Sequence, residues 1–176
     1  MENLSNHVKI RKLTQIALLV SLSLILSYFD ILISRVAFPF LPTTKIGFAN
    51  VIVVYAIYQL DFKEAFLIAM LKSLMSLLLG NVIGFVISLC ASFLSFFGMY
   101  GGYLVLKKIA SPISISVIGG FLHIVGQLLV VQLIYRLGKV LMFYSAIVVF
   151  VSLITSILIG FIALQLLAYM KKQKNS

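Results

Sequence analysis

Few side chains in this 176-residue chain could do chemistry, and most of those lie inside or beside apolar runs. Lys72 interrupts one run, and Asn50 lies one turn into another. His123 and Gln127 sit in a third at i, i+4 spacing, which puts both on one helical face. Gly119 continues that stripe, so the backbone can be approached closely there. Lys45 precedes the Asn50 run, Asp30 lies near the end of the first run, and Asn81 follows Gly80 in a turn. Amines and amides are costly in hydrocarbon unless they meet a partner or a guest. The candidate substrate-binding residues are therefore Lys45, Asn50, Lys72, Asn81, His123 and Gln127. Lys45, Lys72 and Arg35 would make such a pocket electropositive, and His123 adds a donor or, if protonated, a charge. That chemistry suits a phosphate or a carboxylate.

Each residue also has a plainer reading. Lys72 could snorkel along its own helix. His123 and Gln127 could tie helices together by hydrogen bonds. For Asp30, a clamp to Arg35 or Lys45 is the favoured reading. Cys90 reads as a small buried hydrophobe. Ala17 and Ser21, four apart on the first run, form a small-xxx-small pair that lets another helix pack closely. They are candidates either for partner docking or for an internal seam.

Several chemistries lack their residues. No Gly-rich phosphate loop ends in Lys-Ser or Lys-Thr. No Cys/His cluster marks a metal site, and no nucleophilic triad stands out. Mg²⁺-assisted diphosphate chemistry needs clustered carboxylates, whereas this chain has four Asp and Glu with no two adjacent. The expectation is no catalytic residue, no metal, no cofactor and no enzyme activity of the chain's own.

The elements that must position these groups are membrane helices. Hydrophobic residues make up 62% of the chain and charged residues 10%, too few charges to wet a globule of this size. The net charge of +10 comes from basic residues between apolar runs and at both termini. They read as helix-flanking anchors rather than a nucleic-acid surface. The first apolar run, Leu13 to Ile33, is long enough to cross a bilayer and lacks the short core and cleavage site of a signal peptide. A loop over 34–45 carries Pro39 and Pro42. Further runs cover Ile46–Leu60, Ala65–Leu79, Val82–Leu106, a helix opened by Ser111 and Pro112 that ends near Tyr135, and Leu141–Met170.

The fold class expected is all-α, a polytopic bundle of six transmembrane helices. Residues 1–12 would form a cytoplasmic N-terminal segment, 13–170 a single membrane domain and 171–176 a cytoplasmic basic tail. With six spans, nine Lys and Arg share the side of the termini: Lys9, Arg11, Lys12, Lys63, Lys107, Lys108, Lys171, Lys172 and Lys174. The other side holds Arg35, Lys45, Arg136 and Lys139. The positive-inside rule then puts both termini in the cytoplasm. In that topology the candidate residues cluster in the outer half of the membrane.

Two short segments carry a resemblance. Lys45-Ile-Gly-Phe-Ala-Asn50 is similar to a segment of the Gx transporter family, whose members are often labelled heptaprenyl diphosphate synthase component I. Phe121-Leu-His-Ile-Val-Gly-Gln127 is similar to a second family segment, with Ile124 where the family often has Asn. The likeness spans roughly residues 10–170 and takes in the acidic turn, the Lys72 helix and Gly80-Asn81. It implies a fold like the S-components of energy-coupling factor (ECF) transporters. Those six-helix proteins of bacterial-type cell membranes bind a vitamin or related molecule outside. They work with a coupling membrane subunit and two ATPases. The resemblance implies docking to that subunit through Ala17-xxx-Ser21, with Ser in place of a second Ala, and a lid formed by segment 34–45.

The leading expectation is a substrate-binding subunit of an ATP-driven transporter for an anionic vitamin, flavin or isoprenoid- or quinone-related compound. The alternatives are a non-catalytic membrane accessory of a prenyl synthase, and a stand-alone carrier driven by an ion gradient.

Overall fold

The computed structural model describes residues 2–37, 45–106 and 109–175. Seven helices follow in order: α1 Glu2–Ala37, α2 Asn50–Gln59, α3 Phe62–Leu71, α4 Leu74–Leu79, α5 Val82–Leu106, α6 Pro112–Tyr135 and α7 Lys139–Asn175. Among the described residues, four stretches are long and apolar enough to cross a membrane: Lys9–Val36, Val82–Leu106, Pro112–Tyr135 and Phe143–Gln173. The all-α membrane bundle is as expected. The two remaining expected spans are shorter helices, α2 alone and the pair α3–α4. The expected lid at Pro39–Pro42 and the turn at Lys107–Lys108 lie outside the described residues.

α2 is the centre of the bundle. Its sequence, NVIVVYAIYQ, is apolar on every side, as a helix enclosed by others must be. Residues 50–57 are all buried, and α2 touches α1, α3, α5, α6 and α7. It enters through a tight turn, with Asn50 N donating to Gly47 O at 2.9 Å and Val51 N to Phe48 O at 3.2 Å. Gly47 takes φ +100°, a backbone shape that side-chain-bearing residues rarely adopt.

The α2–α3 turn is pinned at the opposite end from Asp30. Asp61 N donates to Glu64 Oε2 at 3.2 Å, and Lys12 on α1 pairs with Asp61 at 2.8 Å and Glu64 at 2.7 Å. The Lys12 ammonium beside it holds the Asp61 carboxyl below its ordinary 3.8. Nearby, Phe62, Phe66, Phe96 and Tyr100 form an aromatic cluster between α3 and α5. The aromatics are thus core or surface groups there.

The α5–α6–α7 side is bound by small residues. A Cβ on Gly126 would stand 2.8 Å from the Ala91 Cα, and one on Gly160 would stand 2.5 Å from the Ile113 Cα. Where backbones come this close, serines donate across the seam. Ser116 Oγ reaches Ser156 O at 2.7 Å, Ser152 Oγ reaches Gly120 O at 3.3 Å, and Ser95 Oγ reaches Gly119 O at 2.8 Å. Close backbone approach and interhelical hydrogen bonds are what hold helices together without water. Gly119 plays the close-approach part expected of it, against Met99. α6 begins as the sequence implies, with the Ser111 Oγ accepting from Ser114 N at 3.1 Å and Pro112 in the first turn.

Cys90 corrects an expectation: it is exposed, not buried. A small apolar side chain can be exposed on a membrane helix without penalty.

Candidate functional site

The helical stretch formed by α3 and α4 breaks at Lys72 and Ser73. Ser73 N turns back to Met70 O at 3.1 Å, and Ser73 Oγ donates to the same carbonyl at 2.5 Å. Irregular backbone at membrane depth is tolerated where such groups are satisfied and where it lines a cavity. The break occurs at the residue that interrupts the apolar pattern. It turns the Lys72 side chain inward, where Nζ donates to Asn50 Oδ1 at the start of α2. Lys72 is 5% exposed, so it does not snorkel.

Segment 45–47 is tied on three sides. Lys45 N donates to Gln127 Oε1 at 3.0 Å, and Gln127 Nε2 donates back to Lys45 O at 3.5 Å. Ile46 N donates to Asp30 Oδ1 at 3.0 Å, while Gly47 N reaches both carboxylate oxygens, at 3.0 and 2.9 Å. Ser34 Oγ takes a second share of Ile46 N at 3.1 Å. The Lys45 ammonium donates to Ser76 on α4, and to Ser88 on α5 at 3.0 Å.

The expectation about Asp30 changes here: it is a clamp, but on the Ile46 and Gly47 N–H groups rather than on Arg35 or the Lys45 ammonium. The Arg35 guanidinium instead donates to Leu79 O at 2.9 Å. Among the described residues, ion pairs at contact distance are confined to Lys12. The physical reason is geometric. The consecutive N–H groups of Ile46 and Gly47 converge on one carboxylate, and such a nest is a strong anion seat.

A small cavity of about 10 Å³ lies at the meeting point, lined by Asp30, Lys45, Lys72, Ser88 and His123 among others. A second cavity of about 140 Å³ lies beside it, lined by Arg35, Lys45, Ser76 and Asn81 with Ile31, Gly80 and Gly84. Lys45 lines both. The structure thus brings Lys45, Asn50, Lys72, His123 and Gln127 together, all buried. Asn81 stands apart, exposed, with its Oδ1 accepting from Gly84 N at 2.7 Å at the start of α5; it lines only the larger cavity. His123 Nδ1 is buried with no hydrogen-bond partner.

Asp30, Ser27, Ser76 and Ser88 join the site without having been picked as ligand residues. A signal was present. Ser23, Ser27, Asp30 and Ser34 repeat at helical spacing along α1, and all four are buried. A polar stripe on an apolar helix marks the face that turns away from lipid. Ala17 and Ser21 lie on the opposite, exposed face of α1, and Ser21 Oγ donates to Ala17 O at 2.9 Å. Gln59 and Gln165, polar residues near the ends of α2 and α7, are exposed.

Neither curated proteins nor solved structures yield a match to this chain. A family model described as heptaprenyl diphosphate synthase component I matches residues 19–166. That span runs from α1 into α7 and contains every residue of the buried polar cluster. The chain is a membrane protein that belongs to the heptaprenyl diphosphate synthase component I family.

Proposed function

We propose that this chain is the substrate-binding membrane subunit of a transporter for a small anionic molecule. The observation that carries the reading is a charge imbalance. Two buried ammonium groups, Lys45 and Lys72, face one buried carboxylate, Asp30, around one small cavity. A buried charge without a counter-charge is costly, and an anionic guest supplies the counter-charge. The larger cavity, with Arg35 and Asn81, is the entry side. Asn50 and Gln127 position Lys72 and the 45–47 turn, and six spans with both termini in the cytoplasm put the site in the outer half of the membrane. ATPases would act through a coupling membrane subunit, docked on the exposed Ala17–Ser21 strip of α1. Ser21 satisfies its hydroxyl internally there, so the strip offers a narrow apolar surface.

The printed family description favours a second reading, a membrane component beside a prenyl synthase. In that reading the chain is not itself the catalyst. Asp30 lies 18 residues along α1 from Lys12, the residue that pairs with Asp61 and Glu64. That is about 27 Å at the helical rise. Carboxylates so far apart cannot share a Mg²⁺.

The test is native mass spectrometry of the purified chain, followed by uptake of the identified molecule in cells. Lys72→Ala is expected to lower uptake at least tenfold, on the order of the 1.4 kcal/mol that one tenfold step represents. Full uptake by both Lys72→Ala and His123→Ala would discard the site. Co-purification with a soluble prenyl synthase and no ATPase would favour the second reading. Uptake by vesicles holding the chain alone would instead mark a carrier driven by an ion gradient.

A further inference from the structure

His123 is the one ring in the polar cluster, and its Nδ1 has no hydrogen-bond partner although the residue is 2% exposed. The backbone carbonyl of Ala91 stands beside the same ring. A carbonyl can only accept, so the nitrogen facing it carries the proton. In neutral imidazole the other nitrogen is then an acceptor. Nδ1 makes no bond, so Nε2 is the nitrogen that faces the carbonyl, and Nδ1 keeps an open lone pair on a residue that lines the small cavity. The nearby ammonium groups donate elsewhere, Lys72 to Asn50 and Lys45 to Ser76 and Ser88, and neither reaches Nδ1; each keeps at least one further N–H for a guest. Buried acceptors left without a donor are rare and point to a missing partner.

We propose, building on the anion-site reading above, that His123 selects anions that carry a hydrogen-bond donor beside their charge, such as the P–OH of a phosphate or the hydroxyl of a hydroxy acid. Lys45 and Lys72 take the charged oxygens, and His123 Nδ1 accepts from the protonated one. The cavity beside His123 has room for about one oxygen-sized group, about 10 Å³. Lys45 lines this cavity and the larger one of about 140 Å³. An anion drawn in from the larger cavity thus meets Lys45 first, and only its inner edge reaches His123. A site that accepts from a ligand hydroxyl discriminates strongly against an analogue lacking it, because the buried acceptor is then left bare.

Inorganic phosphate and sulfate provide the probes. At a pH where both are dianions they match in charge and shape, but phosphate keeps one P–OH and sulfate has none. With the full chain in lipid nanodiscs, thermal stabilisation titrated with each salt is expected to give phosphate an apparent Kd at least about tenfold lower. His123→Phe should erase the preference and leave both anions at the sulfate level. His123→Gln, which returns an acceptor, should restore part of it. Lys72→Met should abolish both responses. Equal affinity of the unaltered chain for the two anions would mean that Nδ1 holds only a structural water, and it overturns the proposal without touching the anion site. A preference that survives His123→Phe also overturns it. Binding of neither anion to the unaltered chain removes the anion site itself, and this proposal with it.

Discussion

On the α5–α6–α7 side of the molecule, polar side chains end on backbone carbonyls. Ser116, Ser152 and Ser95 each donate across a helix contact, where glycine lets the backbones nearly touch. On the side made by α1, the 45–47 turn and the α3–α4 break, polar side chains are charged and face one another around open space. Both sides contain buried polar groups in an apolar chain, so burial alone does not separate glue from site. The difference is in unused bonding capacity. The seam serines are satisfied by the protein, whereas the cavity keeps an unpartnered His123 Nδ1 and an excess ammonium. Ser92, on α5 one turn from both the cavity's Ser88 and the seam's Ser95, is an exception: it is buried without a partner.

That contrast can be broken by substitution. The largest effect is expected at Asp30. Asp30→Ala removes the acceptor of the Ile46 and Gly47 N–H groups and leaves two ammonium groups without a carboxylate. It should destabilise the protein by about 3–5 kcal/mol, read as lost thermal stability in detergent. A loss no larger than that of a seam serine would erase the distinction. Gly126→Ala comes next. Its Cβ would meet the Ala91 Cα at 2.8 Å, a backbone atom that cannot swing aside. Overpacking of this kind costs about 1–3 kcal/mol. Anion binding at the far side should persist in the fraction that remains folded, and its disappearance would show that the two sides act as one.

Smaller effects sharpen the scale. Ser116→Ala deletes one satisfied interhelical hydrogen bond and should cost about 0.6 kcal/mol, measured by the same unfolding assay. The smallest effect is expected at the exposed Lys12–Asp61 pair, where Asp61 is 79% exposed. Its carboxyl sits below the ordinary 3.8 because Lys12 bonds to the ionised form. Its contribution is therefore present above that ordinary value and is lost as pH falls through the lower folded-state value. The melting-temperature difference between the unaltered chain and Asp61→Asn should be slight at neutral pH and vanish in acid. A difference that grows on acidification would contradict the pairing.

Much of this was legible from residue types. An apolar chain with so few charges has lipid for its solvent, and lipid demands satisfied backbones, so helices were required. Five of the six candidate residues, Lys45, Asn50, Lys72, His123 and Gln127, meet in one buried cluster, because hydrocarbon drives such groups toward one another. Lys72 marked the interruption of its run, and the helix breaks there.

Other features needed the third dimension. Spacing places a residue on a face but does not say what that face meets. Asp30 had Arg35 and Lys45 as candidate partners by charge. Only the fold of the 45–47 turn brought the Ile46 and Gly47 N–H groups to its carboxylate. Gln127 shares a face with His123, yet it binds the Lys45 backbone while His123 keeps a free nitrogen. The sequence by itself determined the solvent, the helices and which polar groups must avoid lipid, because those follow from transfer energies of individual residues. Tertiary structure decided which of them are satisfied and which remain open, because hydrogen bonding depends on the position and direction of atoms distant in the chain.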